Sequence, residues 1–270
     1  MNSGSGERSG IVYQEPAAEA RPRIIVALTT QEGRLVRTRN FRQPVYVGDP
    51  INAVRIFSEK AADELVLLEI SHGGFNGERA AQIREIASEA LMPISYGGGL
   101  RSLEEVRQVF QMGFEKVVLN TVLHERPGMA REAAAEFGSQ AVVASMEVSR
   151  LRWKGPRVFY GSGSKKTVHP PEDWARRCED AGCGELLLIS IDRDGTMEGY
   201  DLDLVRAVAR AVSIPVIAMG GAGTRDHLRQ GIEAGASAAA AGSMFVFHGP
   251  RRAVLITYPP DLGADPVRVG

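Results

Sequence analysis

Two cysteines, Cys178 and Cys183, are the whole thiol inventory of 270 residues. Their spacing matches neither a zinc-ligand pattern nor a disulfide framework, and a reduced compartment is expected. No apolar run approaches the roughly 20 residues that a membrane-spanning helix requires. Charge excess is equally absent: 32 Lys and Arg face 33 Asp and Glu, a net charge of −1. Nucleic-acid binders normally show a basic surplus, so neither a nucleic acid nor a membrane is expected as a partner. The opening MNSGSGERSG has no apolar stretch of the signal-peptide kind, and residues 1–20 read as a disordered extension or a cloning remnant. His72, His169, His227 and His248 show no metal-ligand spacing, and neither a metal nor a cofactor is expected. At 44% apolar and 24% charged residues, a cytoplasmic globular protein remains.

What is present is alternation. Short apolar, β-rich runs occur at 24–28, 64–70, 92–96, 116–119, 141–146, 185–191, 215–219 and 238–241. Amphipathic stretches such as 103–112, 127–137, 172–181 and 202–211 separate them. Strands joined by helical crossovers pair in parallel, and strands apolar almost throughout are covered on both faces. An open doubly wound sheet is the rival architecture. No GxGxxG turn follows the first run, which counts against it.

An internal repeat discriminates better than periodicity. At an offset of 122, Pro93 falls on Pro215, Gly98 and Gly99 on Gly220 and Gly221, and Asn120-Thr121 on Gly242-Ser243. At an offset of 121, ADELVLLEI lies on CGELLLISI, with Glu64 on Glu185. Two (βα)4 halves make a single (βα)8 TIM barrel, placed at residues 21–258, with a C-terminal tail at 259–270. The polar, Gly-rich stretch at 148–171 follows the fifth strand. It reads as a lid over the catalytic face, or as a decorated hairpin.

SYGGGLRSLEE and AMGGAGTRDHL each put small residues between a strand end and a helix start. Glycine lets backbone N–H groups approach an anion there. With the polar pairs Asn120-Thr121 and Gly242-Ser243, each half carries the parts of a phosphate cradle. The plainer reading is relief of crowding at βα turns. Two copies at one offset favour phosphates, and hence a phosphorylated small-molecule ligand spanning the mouth. In DRDGT, Asp194 is placed either as a base or ribose anchor, or as a cap of the next turn.

RIIVALTTQEGRLVRT, YGGGLRS, EKVVLNT, GELLLISIDRDGTMEGYD, SIPVIAMGGAG and AAAAGSMFVF resemble the cyclase subunit family of imidazole glycerol phosphate synthase over about Arg23 to Phe247. The resemblance implies a barrel that takes ammonia from a glutaminase subunit at its bottom, with docking around Arg23, Glu115 and Lys116. It implies two phosphate sites, Gly99, Asn120 and Thr121 in one half and Gly221, Gly223, Gly242 and Ser243 in the other. It also implies an ammonia gate of Arg23, Glu64, Lys116 and Glu185. The family's two catalytic aspartates correspond to Thr29 and Glu147. A family lysine corresponds to Arg37, and another aspartate to Glu69. Asp194 alone is unchanged.

Threonine exchanges no proton near neutral pH, and glutamate carries its carboxyl one methylene further. A misplacement of about 1 Å can cost on the order of a hundredfold in rate. YVGDPINAVRIFSEK and FVFHGPRRAVLITYP resemble a paralogue branch acting in surface-polysaccharide pathways, which fits a drifted mouth over an intact floor. There the barrel conducts ammonia to a sugar-amidating enzyme. An active cyclase–lyase of histidine biosynthesis, using Glu147 and Asp194, is the alternative, and a non-catalytic scaffold barrel is the third.

Overall fold

The computed structural model describes residues 22–71, 73–259 and 262. The extension at 1–20 and His72 lie outside the described residues, as does most of the tail at 259–270.

The barrel strands are β1 (Arg23–Gln31), β2 (Glu64–Glu69), β3 (Ile94–Gly97), β4 (Lys116–Leu119), β5 (Val142–Leu151), β6 (Glu185–Ser190), β7 (Val216–Met219) and β8 (Ala238–Ala241). Each pairs in parallel with the next, and β1 pairs with β8 as well as β2, which closes the ring. Ile25 stands between Glu64 on β2 and Ala240 on β8. The open-sheet rival is thereby excluded, and the fold is a (βα)8 barrel.

Helices follow the strands: α1 (Pro50–Glu59), α2 (Gly77–Ser88), α3 (Leu103–Gln111), α4 (Thr121–Glu125), α5 (Gly128–Phe137), α6 (Pro171–Asp180), α7 (Leu202–Ala209), α8 (Arg225–Glu233) and α9 (Ser243–Val246). The repeat survives in three dimensions. Helix α3 and helix α8 start 122 positions apart, and so do β4 and β8. Their capping residues share the offset: Ser102 forms a capping box with Glu105, and the Thr224 hydroxyl accepts from the His227 N–H. Such caps satisfy N–H groups that a helix leaves open at its start.

Side-chain alternation divides the core in two. Ile24, Val26 and Leu28 face outward to the helices, where Phe57, Ile86, Val109 and Phe245 complete a large apolar layer. Ile25, Ala27, Val66, Val118, Val143, Leu187 and Ile217 face inward and pack on one another along the barrel axis. Leu262 joins the outer layer beside Tyr258, so the tail expected from residue 259 begins with a buried anchor.

Two antiparallel hairpins stand on the carboxyl-terminal side of the ring. Residues 34–39 and 42–48 form one, paired to the end of β1; the sequence reading missed it. The second lies in the stretch at 148–171, where the sequence left a lid or a decorated hairpin open. Strand β5 runs on to Leu151, and residues 155–160 fold back along it, with Glu147 opposite Phe159. Valine, phenylalanine and tyrosine in RVFY favour a strand, and a ladder satisfies backbone groups that a bare loop would leave to water.

Phe57 is fully buried and meets the Phe245 ring edge-on at 6.3 Å. Truncation to alanine leaves a cavity between α1 and α9. Phe57→Ala is expected to lower unfolding free energy by about 3–5 kcal/mol, read from urea denaturation midpoints.

Candidate functional site at the barrel mouth and floor

The first inward position of β1, β2, β4 and β6 is charged, and the four side chains meet on the axis. Arg23 donates to Glu64 at 2.5 Å and to Glu185 at 2.7 Å. Lys116 donates to the same two carboxylates at 3.0 and 2.9 Å. Each cation thus bridges both anions, and the group is neutral. Glu64 and Glu185 are buried, so removing a partner would strand a carboxylate out of water. Directly above lies a void of about 10 Å³ lined by Glu64, Ser95 and apolar side chains including Ile25, Val66, Val118 and Leu187. That is room for about one water-sized molecule.

At the opposite end a cavity of about 180 Å³ opens at the strand termini. Thr29, Gly99, Asn120, Thr121, Glu147, Asp194, Gly221, Gly242 and Ser243 all line it, as do Arg37 and Glu69. Residues dispersed over most of the chain converge because every strand ends at the same rim. Gly223 departs from the expected set. It does not line this cavity, and its N–H is donated to His227 Nδ1 at 3.1 Å. Gly221 adopts φ +116°, and a Cβ there would overlap the Gly199 carbonyl, so the rim needs glycine at that position.

Glu147 is 7% exposed and has a single hydrogen-bond donor, the Gly163 N–H at 2.7 Å. Burial pushes its carboxyl up to about 7. Asp194 is also raised by burial, partly offset by the Thr38 hydroxyl, which donates at 2.9 Å, and by the Arg37 charge. Its carboxyl faces the cavity, whereas helix α7 is capped by Asp201. Glu69 is held by the Ser71 backbone N–H at 2.7 Å and by the Ser71 hydroxyl. A carboxyl near 7 suits proton exchange at neutral pH. Thr29 offers no such group.

Arg37 was the least legible member. Its guanidinium is buried, donates to the Ala27 carbonyl, and covers Gly242 so closely that a Cβ there would overlap it. Burial lowers it to about 10, against the Asp194 charge. It thus stands at the Gly242-Ser243 turn. Sequence reasoning missed Asn40, whose amide donates to the Ile191 and Asp192 carbonyls at 3.1 and 2.6 Å and ties the first hairpin to the DRDGT turn. Both depend on a hairpin that only the folded ring positions.

A closed (βα)8 ring of two matching halves, with glycine turns at the rim, an open cavity between them and a neutral ionic floor, defines a half-barrel-repeat (βα)8 protein. The sequence pattern of the histidine biosynthesis protein family matches residues 23–250. The chain belongs to that family, in its imidazole glycerol phosphate synthase cyclase-subunit (HisF) group. It is 47% identical over 241 residues to a Pseudomonas aeruginosa protein named "Putative imidazole glycerol phosphate synthase subunit hisF2", covering 88% of this chain and 96% of that one. It is 44% identical over 226 residues to the Metallosphaera sedula imidazole glycerol phosphate synthase subunit HisF, covering 83% and 89%. Among the described residues no helix is long and apolar enough to cross a membrane.

Two outcomes are expected. Lys116→Ala leaves Glu64 and Glu185 with Arg23 alone, and stability should fall by about 3 kcal/mol in urea unfolding. Glu147→Gln keeps shape and an acceptor but removes the charge. The native carboxyl titrates near 7, above its unfolded value of about 4.3. The protonated form therefore favours the fold at low pH, and that contribution is lost as pH rises through 7. The variant should gain about 2–3 kcal/mol on the wild type between pH 5 and pH 8, measured as the difference in urea unfolding free energies.

Proposed function

We propose that this barrel accepts ammonia from a glutaminase subunit at its floor and passes it along the axis to the mouth. From there it serves the amidation of a surface-polysaccharide sugar by a separate enzyme. The observation that carries this reading is the floor itself. Arg23, Glu64, Lys116 and Glu185 form a closed ionic ring at the one point through which anything entering the barrel from below must pass. Glu64 and Glu185 are buried, and Lys116 and Arg23 only in part; withdrawing such carboxylates from water costs several kcal/mol per ion before the attraction repays it, and an apolar plug would be as stable or more so. A ring retained against that cost suits a gate whose members part and re-pair. Above it the void and the apolar column supply a dry path, in which ammonia stays neutral. Glu115 and Leu91 are exposed at the same end of the barrel and offer a docking edge for the glutaminase.

The mouth supports the division of labour. Thr29 leaves the β1 side of the cavity without an acid or base, so the two-carboxyl chemistry of a working cyclase lacks one partner in its place. The second reading, an active cyclase–lyase making imidazole glycerol phosphate and an aminoimidazole carboxamide ribotide, rests on Glu147. Its carboxyl is pushed up to about 7, and Asp194 faces the same cavity. In that case the mouth binds the bisphosphate precursor, with Glu147 and Asp194 sharing proton transfer. A pure scaffold barrel would have no use for the ionic floor.

A cyclase assay on the purified chain with ammonium salt and the bisphosphate imidazole-carboxamide precursor separates the readings. Turnover below about one thousandth of a working family cyclase is expected, a loss of more than about 4 kcal/mol in transition-state stabilisation. Turnover within about tenfold of that cyclase would sink the conduit reading.

A further inference from the structure

The turn after the second hairpin, residues 161–164, reaches back across the mouth. Gly161 N–H donates to Asn120 Oδ1 at 3.1 Å, and Gly163 N–H donates to Glu147 Oε2 at 2.7 Å. The turn is locked within itself, because the Ser164 hydroxyl donates to the Gly161 carbonyl at 2.6 Å. Gly161, Ser162 and Gly163 all hold left-handed φ, at +63°, +57° and +75°. Serine in that region is strained by about 1–2 kcal/mol, so the conformation persists only while its contacts hold it. Ser162 itself lines the cavity.

The two acceptors belong to different strands and different roles. Asn120 sits at the end of β4, in the first phosphate turn, and its own amide N–H is turned to the Ser145 carbonyl at 2.9 Å. Each polar end of Asn120 is therefore partly engaged, its oxygen by the turn and by the Thr121 hydroxyl at 3.4 Å. Glu147 is the one carboxyl at the end of β5, and the turn supplies its only donor among the described residues. The cavity left beneath is about 180 Å³, below the roughly 300–1,000 Å³ usual for a small-molecule site. A ligand long enough to reach both phosphate turns needs the space and the polar groups that the turn now takes.

We propose that residues 161–164 form a strap across the mouth, and that a phosphorylated ligand enters only as both strap bonds break together. The inference rests on the reading of the mouth as a phosphate-ligand site. The strap's donors are two residues apart on one rigid turn, so neither bond opens alone. Part of the ligand's binding energy goes into releasing the strap, and weakening the strap tightens binding.

The test uses the intact chain, a sugar bisphosphate (fructose 1,6-bisphosphate) as probe, and amide-resolved NMR. Without ligand, the Gly161 and Gly163 amides should exchange at least about tenfold more slowly than an unprotected chain. At saturating probe, both should lose protection together while the Thr121 and Ser243 amides shift on binding. Two variants separate the strap from simple charge effects. Glu147→Gln removes the charge but keeps a carbonyl acceptor; Glu147→Ala removes both. The alanine variant should bind the probe about three- to tenfold more tightly than the glutamine variant, the equivalent of one hydrogen bond. Equal affinities, unprotected amides in the free chain, loss of protection at only one amide, or binding with protection unchanged would each overturn the strap and leave the phosphate site standing. Failure of the probe to bind would overturn the ligand-site reading and the strap with it.

Discussion

Inward-facing side chains compete for one narrow column of space, and the two-residue period of a β-strand sorts them into it. In a closed parallel ring every second residue points to the axis, so inward positions stack in layers. The first layer here is Arg23, Glu64, Lys116 and Glu185, and the next includes Ile25, Val66, Val118 and Leu187. The last is the polar rim of Thr29, Glu147 and their neighbours. A one-residue slip in β1, β2, β4 or β6 would drive a charged floor residue into the apolar helix layer. The register is therefore fixed by electrostatics at the bottom and by packing above it.

The two ends of the column treat buried charge differently. At the floor each cation meets both carboxylates, and the charges are matched within the ring. At the mouth Glu147 has one backbone donor, and the Arg37 Nε finds no partner among the described residues. Burial then shows as shifted titration: Glu147 is raised to about 7 and Arg37 lowered to about 10. Local rules broken without local compensation tend to gather at functional sites, and here they gather where the glycine turns also converge.

Much of this architecture was legible in one dimension. The offset of 122 aligned α3 with α8 and β4 with β8 before any coordinates, because an internal repeat reflects the same supersecondary unit used twice. Strand β4 matched its expected bounds because Lys116–Leu119 is an apolar run begun by a charge and ended by Asn120. The first hairpin was not legible in the same way. Residues 34–48 carry no apolar alternation strong enough to mark strands, and four of the seven residues at 42–48 are Arg, Gln, Pro or Gly. Their ladder forms because β1 offers an edge beyond the ring.

What the residues alone determined is the ring and its ends: parallel strands from apolar runs, two halves from the repeat, charge at the first inward positions, and glycine at the rim. These are local properties, set by side-chain period and backbone freedom. What the tertiary structure decided is who meets whom across the axis. Arg37 lies over Gly242, Asn40 holds the DRDGT turn, Gly223 turns to His227, and Gly161 and Gly163 close on Asn120 and Glu147. Such contacts join segments far apart in the chain. Their geometry depends on ring closure and hairpin twist, which no local pattern encodes.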